Sequence, residues 1–509
     1  MFTEKPFTTL WNRLTRAPEP GTGGGISPPE TSGYQHDAGM AVRRLLQIWF
    51  VCTLIFFVGN AILFAVFGHS FKKLLQEGPS SLLPLTLAAV SVTWMLLGLA
   101  LMLLFVPAIR RNFWITLVLS ILTVFVYVNF LREWIHFGDI YDYVLAAQNL
   151  HGGEPFHQRY IYPPLLAVLC QPLVRFGLNG MGGIFWLANI AAVIVYFWLL
   201  SFSLQRYGFN RLAAPCCVFL FTLVNAPLLR TLGYGQINLH VINLVLLSLL
   251  LFPRHAILSG LSLALAVHLK ASPVLIAVLF LFERNYRWII SFVISMITIG
   301  GGICLLYGIG PWLDFMHNTH GIYSVSNTGF REFSMDNLIK TTVRIFSLPL
   351  QPPVISVLIN VVKAAALATV GFTAIYNIRN RAFDADKNHG FIVSNGLPAS
   401  LIGMVIASPL IWVHHPVFLA IPALLLFIRL KTPVEWGLFG MGYFIMFMLP
   451  TFDFYPWSYA RLACLGIFMY LLLKTKVNDA VIRMFSMMLP NIQNKNARSD
   501  AAAERAVNN

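Results

Sequence analysis

Residues 139 to 164 read DIYDYVLAAQNLHGGEPFHQRYIYPP, a passage dense in ionisable and aromatic side chains within a mostly apolar chain. It carries Asp139, Asp142, His151, Glu154, His157 and Arg159, together with Tyr141, Tyr143, Tyr160 and Tyr162. Three further polar islands follow. GYGQIN (233–238) leads on to HLKASP (268–273), then comes YSVSNTGFREFSMDN (323–337), and last SPLIWVHHPV (408–417). Between them they offer a carboxylate cluster, Asp139 with Asp142, and a set of phosphate-binding candidates, Lys270, Arg331, His414 and His415. Arg230 and Lys363 add charge nearby.

One carboxylate beside several cations suits the breaking of a bond to a phosphate oxygen. Negative charge grows on the leaving phosphate, and preorganised Lys, Arg and His donors stabilise it where it develops. A hydroxyl acceptor is a poor nucleophile, and a positioned Asp removes its proton as attack proceeds. Direct displacement needs that single base, whereas a double displacement needs a second carboxylate as nucleophile. Asp142 lies three residues on and shares a helix face with Asp139, but no partner motif accompanies it. Bland readings compete with each assignment. Loop aspartates solvate loops, paired histidines cap helix ends at an interface, and Gln236 and Asn238 are of the type that hydrogen-bond between packed helices. Lys270 resists such a reading most, because an ammonium inside a bilayer costs a few kcal/mol unless an anion or water meets it. The stem of Lys363 is long enough to reach the membrane surface.

The elements that must position these groups are membrane helices. The chain has 509 residues, 57% of them hydrophobic and 11% charged, with a mean hydropathy of +0.71. A soluble domain carries roughly 25% charged residues, and uncharged runs of about twenty residues, enough to cross the hydrocarbon as helices, recur here. The alternating ten-residue segments of a barrel do not appear. The fold class expected is therefore an all-α polytopic membrane protein. The formal charge of +15 is assigned to lipid-facing loops and not to nucleic acid. The cysteines form no CxxC pair and read as small hydrophobes. No metal-ligand spacing is visible, and the chemistry above calls for neither a metal nor a cofactor.

Spans are expected near 45–68, 82–107, 112–131, 182–204, 212–229, 236–252, 256–269, 272–283, 288–310, 353–377, 391–413, 415–429, 434–451 and 458–474. A cytoplasmic N-terminus puts Arg110/Arg111, Arg206/Arg211, Arg284/Arg287, Arg379/Arg381 and Arg429/Lys431 on the inner side, as the positive-inside bias requires. Two long polar loops, about 132–181 and 311–352, then share the outer face. The spans 256–269 and 272–283 are too short to cross, since fourteen residues rise about 21 Å. The break between them holds Lys270, and such broken helices are tolerated where they line a cavity. The Pro-broken segment 162–176 is expected as a helix on the outer surface.

At this point the sequence resembles a known family. Asp139-x-x-x-Tyr143-x-x-Ala146-Ala147, with GGEPF (152–156) and YIYPP (160–164), is similar to the first outer loop of glycosyltransferase family 87. GQIN (235–238), LKASP (269–273) and SPLIWVHH (408–415) match further motifs in order. The likeness spans about residues 112 to 475. It implies a GT-C-like multi-helix bundle with about 12–14 membrane helices and two large outer-face loops, using a polyprenyl-phosphate sugar. It implies that Asp139 is the catalytic base and that Lys270, His414 and His415 contact the donor phosphate. Gln236 and Asn238 fall in the motif with their role open. Arg331, Arg230 and Lys363 are added on charge and depth alone. Tyr143 and Tyr162 join Asp142 as pocket candidates, Tyr143 either orienting Asp139, stacking on a sugar or merely packing.

Two departures stand out. The helices 45–68 and 82–107 precede the catalytic region, and NTGFREFSMDN (327–337) matches the family only loosely. The domains expected are a disordered cytoplasmic leader (1–43), two additional membrane helices (44–111), a catalytic membrane domain (112–475) and a cytoplasmic tail (476–509). The function expected is inverting transfer of a single sugar, mannose or arabinofuranose, from a polyprenyl-phosphate donor to a glycolipid or glycan acceptor. The protein would act in the plasma membrane, amid membrane lipids. A lipid-linked-glycan polymerase or ligase and a polyprenyl-lipid transporter or flippase remain the alternatives.

Overall fold

The computed structural model describes residues 138–474 except 210–213, 215–216, 219–220, 223–224, 325–331, 381, 383–390, 428 and 449–454. The expected leader, the spans 45–68, 82–107 and 112–131, and the tail lie outside the described residues. So does Arg331. What is described is an all-α membrane protein: helices in sequence, with a single isolated pairing of extended backbone, between Glu332 and Trp412.

The first elements are α1 (Gly138–Gly152), α2 (Pro164–Cys170) and α3 (Gly177–Arg206), the last two joined by a 3-10 stretch, Gln171–Phe176. Next come α4 (Ala226–Gly233), α5 (Asn238–Leu251), α6 (Ala256–Leu269), α7 (Val274–Phe282) and α8 (Tyr286–Tyr307). The second long loop forms α9 (Gly310–Ser324) and α10 (Met335–Ile345), ahead of α11 (Pro352–Arg379) and α12 (Phe391–Ala407). A 3-10 turn, His415–Leu419, leads into α13 (Ala420–Phe427), and α14 (Pro433–Tyr443) and α15 (Ala460–Lys474) complete the described chain.

Three helical runs among the described residues are long and apolar enough to cross a membrane: Pro164–Arg206, Tyr286–Tyr307 and Pro352–Arg379. In α8 and α11 only 11% of the apolar window is buried within the protein. Ile290, Ile294, Ile297, Val354, Val357 and Phe372 point outward, as lipid-facing residues must in a bilayer, where apolar side chains have no reason to hide. By contrast α12 is buried on nearly every face, which makes it the central helix that the others surround.

The short helices are as the sequence implies. α6 ends at Leu269, Lys270 takes an extended conformation (φ −155°, ψ 125°), and Pro273 precedes α7. Proline has no N–H to continue the ladder and disfavours helix in the residue before it, so the chain cannot run straight through. The segment 162–176 departs from expectation. Its first part, α2, packs Leu165, Leu166, Ala167 and Cys170 into the bundle, while Leu169 and Phe176 stay exposed and 171–176 contributes no buried residue. Its apolar side chains outweigh the proline break. The expected span 212–229 also ends early, because Asn225 accepts a hydrogen bond from the Leu228 N–H and starts α4.

Small residues and a hydroxyl knot lock the helices that carry the break. Ser248 of α5 and Ser259 of α6 each donate to the other's carbonyl, at 2.9 and 2.7 Å, and Trp288 Nε1 of α8 donates to Ser259 Oγ at 3.0 Å. Gly260 lies against the α8 backbone: a Cβ there would sit 2.9 Å from Phe292 N and Trp288 O. Backbone cannot yield as a side-chain tip can, so Gly260→Val should force the helices apart and cost about 1–3 kcal/mol. Thermal unfolding in lipid nanodiscs checks this, with Gly301→Val, where a Cβ meets open space, as the variant expected to keep wild-type stability.

Candidate active site

Asp139 sits in the first turn of α1. Its Oδ2 accepts from the Tyr162 hydroxyl at 3.1 Å and from Gln236 Nε2. Tyr162 Oη also lies 3.2 Å from Gln236 Oε1, which closes a three-membered ring of side chains. Among the described residues no hydrogen bond goes to Oδ1. Although the residue keeps some solvent access, desolvation dominates its ionisation. Burial, opposed by the Tyr162 hydrogen bond and reinforced by the Asp142 charge, pushes the carboxyl up to about 7. Burial and the facing carboxylate hold the Tyr162 phenol well above its ordinary value, so it remains a donor.

The tyrosines and prolines build the wall behind that carboxyl. The Tyr160 hydroxyl donates to Pro163 O at 3.2 Å and accepts from the Ala167 N–H at 3.0 Å, satisfying an amide in the first turn of α2. Tyr143 is fully buried and packs edge-on against Tyr162, 5.2 Å between centroids, with Phe185 behind it. Among the described residues its buried hydroxyl makes no hydrogen bond of ordinary geometry. Tyr143 therefore braces Tyr162 and makes no hydrogen bond to Asp139. Asp142 turns to His157 at 3.0 Å. α9 holds the same loop, with Asp314 Oδ2 accepting from Phe156 N at 3.0 Å and Asn318 donating to the His157 and Tyr160 carbonyls.

Gly235 brings the second motif to this wall. Its φ of +66° is left-handed, and a Cβ there would run into the Ile140 side chain. Only glycine meets both demands. The turn it makes delivers Gln236 to Asp139 and starts α5 at Asn238.

Lys270, extended between α6 and α7, donates to Asn238 Oδ1 at 2.7 Å. An ammonium has no acceptor, so this contact fixes the amide orientation and leaves Asn238 Nδ2 as a buried donor without a partner among the described residues. Lys270 Nζ also lies 3.0 Å from His415 Nε2, while the Trp412 N–H donates to His415 Nδ1 at 2.9 Å. A backbone N–H can only donate, so neutral His415 carries its proton on Nε2. With Lys270 as the ammonium, its N–H and the His415 Nε2–H confront each other as two donors. Together with Asn238 Nδ2 they call for an acceptor supplied from outside, ideally an anion. His414 stacks on His415 at 4.7 Å between centroids and lies 6.3 Å from the Tyr234 ring, onto whose hydroxyl Arg230 donates at 3.2 Å. Asp139 is close enough for its charge to act on Lys270.

The structure thus gathers Asp139, Tyr162, Gln236, Asn238, Lys270, His414 and His415, with Tyr143 and Asp142 behind them. Lys363 does not join them. Its ammonium pairs with Asp336 at 2.6 Å, at the contact of α10 with α11, so a local carboxylate answers the charge that drew attention to it. Sequence reading did not find Glu332 or the Trp412 amide. A pairing of extended backbone across nearly eighty residues leaves no periodic signal. Among the described residues no group of His, Cys, Asp or Glu is placed to hold a metal ion.

The model of glycosyltransferase family 87 matches residues 160–409. That stretch of the chain is a family 87 region, and with the apolar helices around it the class is a membrane glycosyltransferase. The match takes in Tyr162, Gln236, Asn238 and Lys270; Asp139 precedes it and the two histidines follow it. Neither curated proteins nor solved structures yield a match.

The Tyr162 hydrogen bond lowers the Asp139 pKa, so Tyr162→Phe should raise it above the wild-type value. Infrared titration of the carboxyl band, with Asp139→Asn as reference, reads this directly; an unchanged midpoint would remove Tyr162 from the control of Asp139.

Proposed function

We propose that this membrane glycosyltransferase inverts the anomeric centre of a single sugar carried on a polyprenyl phosphate, passing it to a glycolipid or glycan acceptor at the outer membrane face. The observation that carries the reading is the confrontation of the Lys270 and His415 donors, with the unpartnered Asn238 amide beside them. The donor's phosphodiester, which departs as polyprenyl monophosphate, supplies acceptors for the hydrogens that face the site. As the glycosidic C–O bond breaks, charge accumulates on the phosphate, and donors already aimed at it need no reorganisation. Arg230 adds positive potential, His414 stacks behind His415, and Arg331 is assigned to the same anion on charge.

Asp139 Oδ1 is the base. Its partner oxygen is occupied by Tyr162 and Gln236, which fixes the plane of the carboxylate and leaves the other oxygen for the acceptor hydroxyl. A pKa near 7 suits a base working near neutrality, because the carboxylate is both populated and basic enough to take a proton. Asp142 is committed to His157, which favours one displacement over two. The sugar assigned is mannose, on the resemblance to the family, with arabinofuranose second; the acceptor is a lipid-linked or cell-envelope glycan.

Purified protein in nanodiscs, given radiolabelled polyprenyl-phosphate mannose and a membrane-lipid acceptor extract, should transfer the label. Asp139→Asn should slow transfer by about 10²–10⁴-fold, and Lys270→Ala by about 10²–10³-fold. Because the active form of the base is the carboxylate, kcat/KM should rise with pH on the acid side as the pH approaches about 7. Equal transfer by Asp139→Asn would defeat the assignment of the base. Movement of intact donor across the bilayer without sugar transfer would favour a carrier, to which broken helices are also suited.

A further inference from the structure

The second long loop reaches the anion-binding donors through one short piece of extended backbone. Glu332 pairs with Trp412, and Phe333 N donates to Ile411 O at 2.9 Å. Trp412 is the residue whose N–H sets the His415 ring. On the other side the strut is knotted into α10 and α15. Ser334 Oγ donates to Glu332 Oε1 at 2.6 Å and accepts from Asn337 N at 3.1 Å, and Asn337 Nδ2 donates to Glu332 O at 2.8 Å. Tyr459 of α15 donates to Thr341 Oγ1 at 2.9 Å, and Arg461 lies over the buried Phe333 ring, 5.8 Å from its centroid. Glu332 itself is only 4% exposed, and nothing in the transfer reaction proposed above uses it.

We propose that Glu332 is a positioning residue for the anion-binding donors: by locking the 332–334 strut onto 411–412 it holds the Trp412 N–H against His415 Nδ1, so that Nε2–H is presented beside Lys270. This rests on the reading of Lys270 and His415 as donors to a phosphate monoester. Coupling between sites is reciprocal, so an ordered strut strengthens phosphate binding and bound phosphate orders the strut.

The groups facing the Glu332 carboxyl are Asp336 and Lys340 of α10, Ser334, the Ile411 backbone, Tyr459 of α15 and, across Phe333, Arg461. Burial chiefly, against the Ser334 hydrogen bond, pushes Glu332 from 4.5 up to about 7. A value raised in the folded strut means that the neutral form is the favoured one. Its contribution is fully present below the ordinary carboxylate range and is lost as pH rises through about 7.

The test is binding of sugar-free polyprenyl monophosphate to the full protein in nanodiscs between pH 6 and 8, with all proteins in an Asp139→Asn background to remove the other buried carboxyl. Lys270→Ala should weaken binding by about tenfold or more, and Glu332→Ala by about fivefold or more. Glu332→Gln, which keeps the Ser334 contact, should restore affinity and lack the weakening through pH 7 that the Glu332 protein shows. If Lys270→Ala binds as its parent does, the phosphate reading fails and this proposal with it. If Lys270→Ala is weak while Glu332→Ala equals the parent, the phosphate reading stands and the positioning role is overturned. Should Glu332→Ala not fold, identical pH dependences for Glu332 and Glu332→Gln overturn the proposal by themselves.

Discussion

The described structure turns on how a lysine ammonium is accommodated at a break between two short helices. Lys270 interrupts α6 and α7, and an ammonium there needs acceptors that an apolar bundle does not offer. Asn238 provides one. The remaining direction is closed by His415, whose own proton points back at the lysine once the Trp412 amide has taken Nδ1. The arrangement is internally incomplete, and its incompleteness has a definite chemical complement in an oxyanion. The order of the surrounding elements follows from this point. Gly235 must turn tightly to place Asn238, the 411–412 segment must be extended and pinned to orient His415, and Pro273 must stop the helix where Lys270 emerges.

Across from this group of donors lies a carboxyl handled in the opposite way. Asp139 receives two donors on one oxygen and keeps the other unengaged among the described residues, and burial holds its pKa near neutrality. A base and a set of anion donors, carried by separate helices and oriented independently, fit a displacement in which a proton is taken on one side while charge is released on the other. The match to family 87 covers the middle of this arrangement and stops short of both ends, Asp139 and the histidine pair. The geometry joins those ends to the matched region through Gln236 and Lys270.

Lipid solvation explains why so much of the structure is apolar outside and polar at particular seams. α8 and α11 turn their isoleucines and valines outward; α8 is held by close backbone contact at Gly260 and the Ser248–Ser259–Trp288 knot, and α11 lies against α12 at Gly403, where a Cβ would meet Val370. Helices in hydrocarbon gain little from burying apolar surface against each other, so small residues and shared hydrogen bonds carry the packing.

Much of this was legible in the sequence, for reasons that are local. A run of apolar residues closed by Lys270 and Pro273 has to break, whatever surrounds it, and α6 occupies the predicted 256–269. The clustering of Asp139, Tyr162, Gln236, Asn238, Lys270 and His415 was marked by residue type, because ionisable and amide groups in an apolar chain are costly and need a use. Tertiary structure decided the rest. Lys363 looked equivalent to Lys270 until Asp336 was found beside it, and the inward face of 164–170 came from the packing of Leu165, Leu166 and Cys170. The tautomer of His415 and the strut at Glu332 depend on a backbone pairing between residues 332 and 412. That pairing joins residues eighty positions apart in the chain, so only the three-dimensional arrangement brings it into view.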